Sequence, residues 1–196
     1  MATLLNKDAP GSIGTINECL HRGEAVALPT ETVYGLAANA LNRSAVQSIY
    51  AIKQRPYHDP LIVHVPDRST AATYATWNSI ADALADAFWP GPLTLVLPYR
   101  GGLAHEVTGG LPTLALRAPA NPTMRDVLEA SRLPLAAPSA NPFGYISPTR
   151  AEHVMDQLGD RISYVLDGGP CEHGLESTIL HVDDQAGGVK LLRPGP

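Results

Sequence analysis

Ser44-Ala45-Val46-Gln47-Ser48-Ile49-Tyr50-Ala51-Ile52-Lys53-Gln54-Arg55-Pro56-Tyr57-His58-Asp59-Pro60-Leu61-Ile62-Val63-His64-Val65 reads in two halves. In the first, Ala45, Ile49 and Ile52 share one face of a helix that Ser44 caps and Pro56 stops. In the second, Leu61 to Val65 is a β-branched run with the composition of a buried strand. The alternation continues outward. Gly11 to Arg22 reads as a helix, with Ile13, Ile16, Cys19 and Leu20 at helical spacing and Gly23 at its end, and Ala25 to Leu28 follows as a strand. Downstream come a helix at Asn78 to Phe88, strands at Leu93 to Leu97 and Thr113 to Arg117, a helix at Asn121 to Arg132 and a strand at Leu133 to Ala137. A helix at Thr149 to Leu158 precedes strands at Ser163 to Leu166, Thr178 to Val182 and Val189 to Leu192. Helices alternating with strands predict an α/β fold in which helices pack on a twisted sheet, and the consecutive late strands make that sheet mixed.

With 196 residues, 44% of them hydrophobic, the chain has the length and apolar content for one core, so a single domain over residues 1–196 is expected. It has no apolar run of membrane-spanning length and no basic start leading into an apolar segment, so a cytoplasmic protein that does not enter the membrane is expected. Two cysteines, Cys19 and Cys171, are too few for a disulfide framework. A net charge of -5 argues against an extended grip on nucleic acid and leaves room only for a local basic pocket.

Glycines and prolines punctuate the periodic segments at Trp89-Pro90-Gly91-Pro92, Gly101-Gly102, Gly109-Gly110 and Gly168-Gly169-Pro170, and loops of this kind form the walls of sites. Tyr99 to Pro112 is the least regular interior segment and is expected to be a mobile flap. The common phosphate loop, the dinucleotide fingerprint, the serine nucleophile elbow and the zinc-protease helix motif are all absent. Cys171-Glu172-His173 lacks a partner at zinc spacing and reads as a polar loop, so no protein-held metal is predicted.

Two short stretches carry the chemistry. Lys53-Gln54-Arg55-Pro56 sets two cations at a helix end, and Pro138-Ser139-Ala140-Asn141 sets a hydroxyl and an amide after an apolar strand. Cations and small donors at the ends of rigid elements suit nucleotide phosphates. Taken alone, the lysine and arginine could equally be a solvated helix end complementing the dipole.

In company, these stretches resemble the YrdC/TsaC family of L-threonylcarbamoyladenylate synthases. The resemblance runs in family order through Leu28-Pro29-Thr30-Glu31-Thr32-Val33-Tyr34-Gly35-Leu36, Lys53-Gln54-Arg55-Pro56 with Pro60-Leu61-Ile62-Val63-His64, Trp89-Pro90-Gly91-Pro92-Leu93-Thr94 and Thr113-Leu114-Ala115-Leu116-Arg117. It goes on through Pro138-Ser139-Ala140-Asn141 with Ser147-Pro148-Thr149, Glu176-Ser177-Thr178 and Leu192-Arg193-Pro194-Gly195. It implies a YrdC-like fold with a concave basic pocket. The implied activity is a nucleotidyltransferase that forms threonylcarbamoyl-AMP and pyrophosphate from L-threonine, bicarbonate and ATP, with Mg2+ accompanying the ATP. The product would serve tRNA processing, as the donor of the N6-threonylcarbamoyl group placed on adenosine 37 by a downstream tRNA threonylcarbamoyl transferase machinery, with at most a weak tRNA contact here. The alternative is a non-catalytic YrdC-like RNA-binding module.

Position by position, the resemblance places Lys53 and Arg55 as catalytic phosphate-holding cations. Asp59, Thr113, Asn141, Thr149 and Arg193 join them at ATP, and Thr32, His64, Arg117, Ser139 and Ser177 fall at threonine. Asp59 departs from the asparagine typical of relatives, and a carboxylate there would repel phosphates unless a metal bridged them. Structural readings stay open beside these roles: His64 as a satisfied core histidine, Thr113 as a strand edge, Thr149 as a helix N-cap, and Tyr34-Gly35 as a tight turn exposing the Thr30 to Thr32 backbone. Because Lys53 and Arg55 sit at an element end, replacing either by alanine is expected to abolish turnover and leave the fold intact. The Gly174 to Thr178 and Arg193 to Pro196 wording resembles longer two-domain members, so a native single domain and a shortened two-domain enzyme are both open.

Overall fold

The computed structural model describes residues 1–183 and 188–196. In chain order its elements are β1 (Thr3–Asn6), α1 (Ser12–Arg22), β2 (Val26–Leu28), β3 (Gly35–Asn39), α2 (Arg43–Lys53), β4 (Ile62–His64), α3 (Arg68–Tyr74), α4 (Ser79–Phe88) and β5 (Leu93–Pro98). A 3-10 turn (His105–Thr108), β6 (Thr113–Arg117), α5 (Pro122–Ser131), β7 (Leu135–Ala136), α6 (Ala151–Leu158), β8 (Tyr164–Asp167), β9 (Thr178–Asp183) and β10 (Gly188–Arg193) complete it. The strands form one sheet in the order β1-β8-β2-β3-β7-β4-β6-β5-β9-β10. Parallel pairs, such as β4 with β6 and β5 with β9, stand beside antiparallel ones, such as β5 with β6, so the sheet is mixed as expected.

Side-chain alternation explains where the site can lie. On β2, β3 and β7, Val26, Leu28, Ala37 and Leu135 point to one face, where α1 and α5 cover them with Ile16, Leu20, Met124, Val127 and Leu128. Ala27, Leu36, Ala38 and Ala136 point to the other face and join the larger core with Val46 and Ile49 of α2. These strands are buried on both faces. Across β4, β6 and β5 the pattern changes. Val63, Leu114, Leu116, Leu95 and Leu97 enter the larger core, while Ile62, His64, Ala115, Arg117 and Val96 point to the face that α1 and α5 cover further along the sheet. The register His64↔Leu135 shows that these two regions lie on one face. A cleft therefore opens where the α1/α5 layer stops.

Several local expectations are corrected. Asn42, not Ser44, caps α2, its side chain accepting the Ala45 N–H at 3.2 Å, and the helix ends at Lys53 with Gln54 in the left-handed region, before Pro56 can act. The expected strand Leu133 to Ala137 shrinks to Leu135–Ala136 between Pro134 and Pro138, because proline donates no ladder hydrogen bond. α6 begins at Ala151 with Arg150 as its cap, so Thr149 is not an N-cap. Tyr34-Gly35 is not a turn. Gly35 opens β3, and Tyr34 is fully buried with its hydroxyl donating to Gly169 O at 2.7 Å. Instead of a flap, the Tyr99 to Pro112 segment is pinned: Ala104 N–H donates to Ala40 O, Val107 O accepts from Leu61 N–H, and Val107 is fully buried.

Candidate active site

The cleft has a volume of about 370 Å³, and its floor is the open sheet face just described. Ile62 and His64 come from β4, Ala115 and Arg117 from β6, Val96 from β5 and Ile179 from β9. The register sets His64 beside Arg117 on β4 and β6, and Ile179 beside Arg193 on β9 and β10, with β5 between the two pairs. The walls are loops: Thr30 to Val33, the stretch after α2 with Arg55 and Asp59, Pro138 and Ser139, and Glu176 and Ser177. Backbone bonds hold the first wall, with Gly174 N–H donating to Thr32 O, His173 N–H to Glu31 O and Tyr34 N–H to Pro148 O.

Of the residues singled out in the sequence, Thr32, Arg55, Asp59, His64, Arg117, Ser139, Ser177 and Arg193 line this one cleft, although they come from distant parts of the chain. Thr113, Asn141, Thr149 and Lys53 do not line it. Thr113 lies two residues along β6 from Ala115, on the same face and in an interior strand rather than a sheet edge. Thr149 lies outside α6, its amide and hydroxyl each 3.4 Å from His153 Nδ1. Asn141 is buried, its amide nitrogen donating to Pro142 O and Tyr145 O while its Oδ1 has no partner among the described residues.

Lys53 overturns the expectation of an exposed helix end. It is 1% exposed, and its ammonium donates to Ser139 O and Asn141 O, each at 2.5 Å. Burial, with the nearby charge of Arg55 adding to it, lowers its pKa to about 8. The lysine thus ties the end of α2 to the Pro138 to Asn141 turn, and an ammonium with three N–H bonds has one beyond these two.

Each arginine of the cleft is met by a carboxylate. Arg55 pairs with Asp59 at 3.0 Å and also donates to Pro60 O. Arg193 pairs with Glu176, and donates to Ser177 O at 3.0 Å and Ser177 Oγ at 3.1 Å. Arg117 pairs with Glu31 at 2.5 Å, the side chains 4% and 5% exposed, and also donates to Thr32 Oγ1 and Gly91 O. Glu31's other oxygen accepts the Asn121 N–H, so both its oxygens are used. Burial alone would raise the Glu31 pKa, but the charge and hydrogen bond of Arg117 outweigh it and hold the carboxyl below its ordinary range. Glu31 and Glu176 had no role in the sequence reading. The signal was available, because an arginine ending an apolar strand demands a buried counter-charge. Ser177 also bonds Thr94 Oγ1 at 2.7 Å, so a residue assigned to threonine and one assigned to ATP, Ser177 and Arg193, touch directly.

His64 is the opposite case. It is 3% exposed, and among the described residues neither ring nitrogen makes a full hydrogen bond, the backbone of Ile62 giving at most a weak one, so it is not a fully satisfied core histidine. Burial, with the charge of Arg117 adding to it, pushes its pKa down to about 3. It therefore offers the cleft a neutral imidazole, one nitrogen donating and one accepting. Since the unfolded chain takes up this proton near 6.5 and the folded one only near 3, the contribution of His64 to stability declines as pH falls below 6.5. The ring 15N shifts are expected to stay those of a neutral imidazole from about pH 8 to about pH 5. A titration near 6.5 would contradict the burial described here.

An open mixed sheet with helices on it, and a cleft of arginines and one neutral histidine on its uncovered face, defines a YrdC-like α/β domain. The chain belongs to the Sua5/YciO/YrdC family, whose model, described as "Telomere recombination", matches residues 18–195. It is 48% identical over 178 residues to the threonylcarbamoyl-AMP synthase of Bacillus subtilis, covering 90% of this chain and 51% of that protein. With the threonylcarbamoyl-AMP synthase of Pyrococcus abyssi it shares 44% identity over 177 residues, 90% of this chain and 52% of that one. The structure of P. abyssi Sua5 complexed with L-threonine superposes with a TM-score of 0.93 at 40% identity, covering all of this chain and 57% of that one. The chain thus spans about half the length of these relatives. Escherichia coli YciO, at 23% identity and a TM-score of 0.86, shares the fold. No helix among the described residues is long and apolar enough to cross a membrane.

Proposed function

We propose that the chain is the catalytic part of an L-threonylcarbamoyladenylate synthase, a nucleotidyltransferase acting on L-threonine, bicarbonate and ATP. The observation that carries this reading is the gathering of eight separately predicted residues into one cleft, in a chain whose relatives are named for that synthesis. Threonine's amine and bicarbonate give a carbamate and water. A carbamate oxygen then bonds the α-phosphorus of ATP as the bond to the β-phosphate oxygen breaks, and pyrophosphate leaves with that electron pair. Little covalent work falls to the protein, which aligns two mutually repelling anions and meets the charge that moves to the leaving group.

In this reading Arg55 and Arg193 face the phosphates as planar forks, and Lys53 supports them from beneath by fixing the Ser139 and Asn141 carbonyls. Arg117 with Thr32, and neutral His64, form the threonine end. Among the described residues no group of three or more His, Cys, Asp or Glu could hold a metal, and both cleft carboxylates are already engaged by arginines. Magnesium is therefore assigned to the incoming nucleotide, held by its phosphate oxygens. The adenylate would pass to a tRNA-modifying transferase. Incubation with 14C-bicarbonate, L-threonine and ATP should place label in a product containing both threonine and AMP. Label that never joins a nucleotide would sink the reading.

A further inference from the structure

We propose that Asp59 and Glu176 are internal counter-anions that occupy Arg55 and Arg193 until nucleotide phosphates displace them, and that reclaim the arginines as pyrophosphate leaves. The inference rests on the synthase reading above, which assigns phosphate to these two arginines. Its basis is a contrast among the ion pairs made by the three arginines of the cleft. The Arg117–Glu31 side chains are 4% and 5% exposed, with both carboxylate oxygens used, and such a pair is costly to open. In the other two pairs the carboxylates are partly open, Asp59 at 38% and Glu176 at 33%, and both line the cleft. Their arginines are 16% and 32% exposed, so these pairs are partly buried, and a polyanion that gives its own oxygens to the guanidinium can exchange for a carboxylate that water already reaches.

Neither arginine depends on its carboxylate for position. Arg55 keeps bonds to Asp59 O and Pro60 O and lies 5.8 Å from the Phe143 ring centre, while Arg193 keeps Ser177 O and Ser177 Oγ. Glu176, for its part, accepts the Ser147 hydroxyl at 2.8 Å and so keeps a partner when Arg193 turns away. The exchange limits how tightly phosphate is held, which matters most for release of a highly charged leaving group.

The test is calorimetric titration of inorganic pyrophosphate, and separately of ATP, into the wild-type chain, Asp59→Asn and Glu176→Gln. The amides keep the shape and one acceptor oxygen and exchange the charge for an NH2 donor, so the loss at high salt of any gain in affinity separates removal of the charge from a new hydrogen bond to phosphate. Both variants should bind pyrophosphate about three- to tenfold more tightly at low salt. That gain should shrink as ionic strength rises. A structural role for the carboxylates moves the result the other way, and unchanged or weaker pyrophosphate binding by a folded variant overturns the proposal. If one variant fails to fold, the other decides. Failure of both would show that the pairs are structural, and would also overturn it. Wild-type protein that binds neither ATP nor pyrophosphate would remove the synthase reading itself, a result distinct from wild-type binding that the variants do not improve.

Discussion

Glu31→Ala is expected to cost the fold about 3–5 kcal/mol, because it leaves the Arg117 guanidinium buried with no counter-charge. Arginine cannot shed its proton to escape, and the side chain is 4% exposed. The same change strands the Asn121 N–H at the start of α5, which now ends on the Glu31 carboxylate. The readout is the urea midpoint at unchanged slope. A loss below about 1 kcal/mol, the range of exposed pairs, would show that the pair is not buried in solution. Arg117→Ala should be comparably damaging, and in protein that still folds it should weaken L-threonine far more than ATP. The pH dependence has a definite sign. The carboxyl is held below its ordinary value of 4.5, so the pair's contribution is fully present above that pH and is lost as pH falls through the lowered value.

Lys53→Met should abolish turnover and also lower stability by about 2 kcal/mol, the second effect being one that the sequence reading did not anticipate. Methionine fills the same volume but gives nothing to Ser139 O and Asn141 O, two carbonyls that converge on one ammonium. A stranded buried acceptor costs about 1–3 kcal/mol, partly offset here because a desolvated charge disappears. Lys53→Arg should not rescue, since a planar fork does not fit a point-charge position closed by two carbonyls. Thermal unfolding and turnover are measured on the same samples. A melting temperature equal to wild type, with turnover lost, would return Lys53 to the exposed phosphate-binding role first expected of it. Its lowered pKa adds a check: folding is penalised while the ammonium is charged, so the stability contributed by this group rises as pH goes from about 8 towards 10.5.

Elements whose periodicity matches their burial were legible in the chain, and those defined by their neighbours were not. Thr113–Arg117 was read to the residue because its alternation is real: Leu114 and Leu116 enter the core while Ala115 and Arg117 face the cleft. β3, Gly35-Leu36-Ala37-Ala38-Asn39, was missed because glycine, alanine and asparagine have no strand preference, and it forms because β2 and β7 flank it. β1 and α3 were missed as well, each a short element near or beyond the weakest periodic signal. The cleft residues were legible through local motifs, but their carboxylate partners were not, since Glu31 and Arg117 meet only across 86 positions of chain. Burial of Lys53 was hidden for the same reason. A helix end looks exposed until the turn that closes over it is known.

Threonine and nucleotide are proposed to meet in this one cleft, and pyrophosphate release from ATP decides whether they do. Release should require L-threonine and bicarbonate together, fall to background when either is left out, and be absent from Arg55→Ala protein whose melting temperature matches wild type. Release that proceeds without threonine, or no release from folded protein supplied with all three substrates, would contradict it.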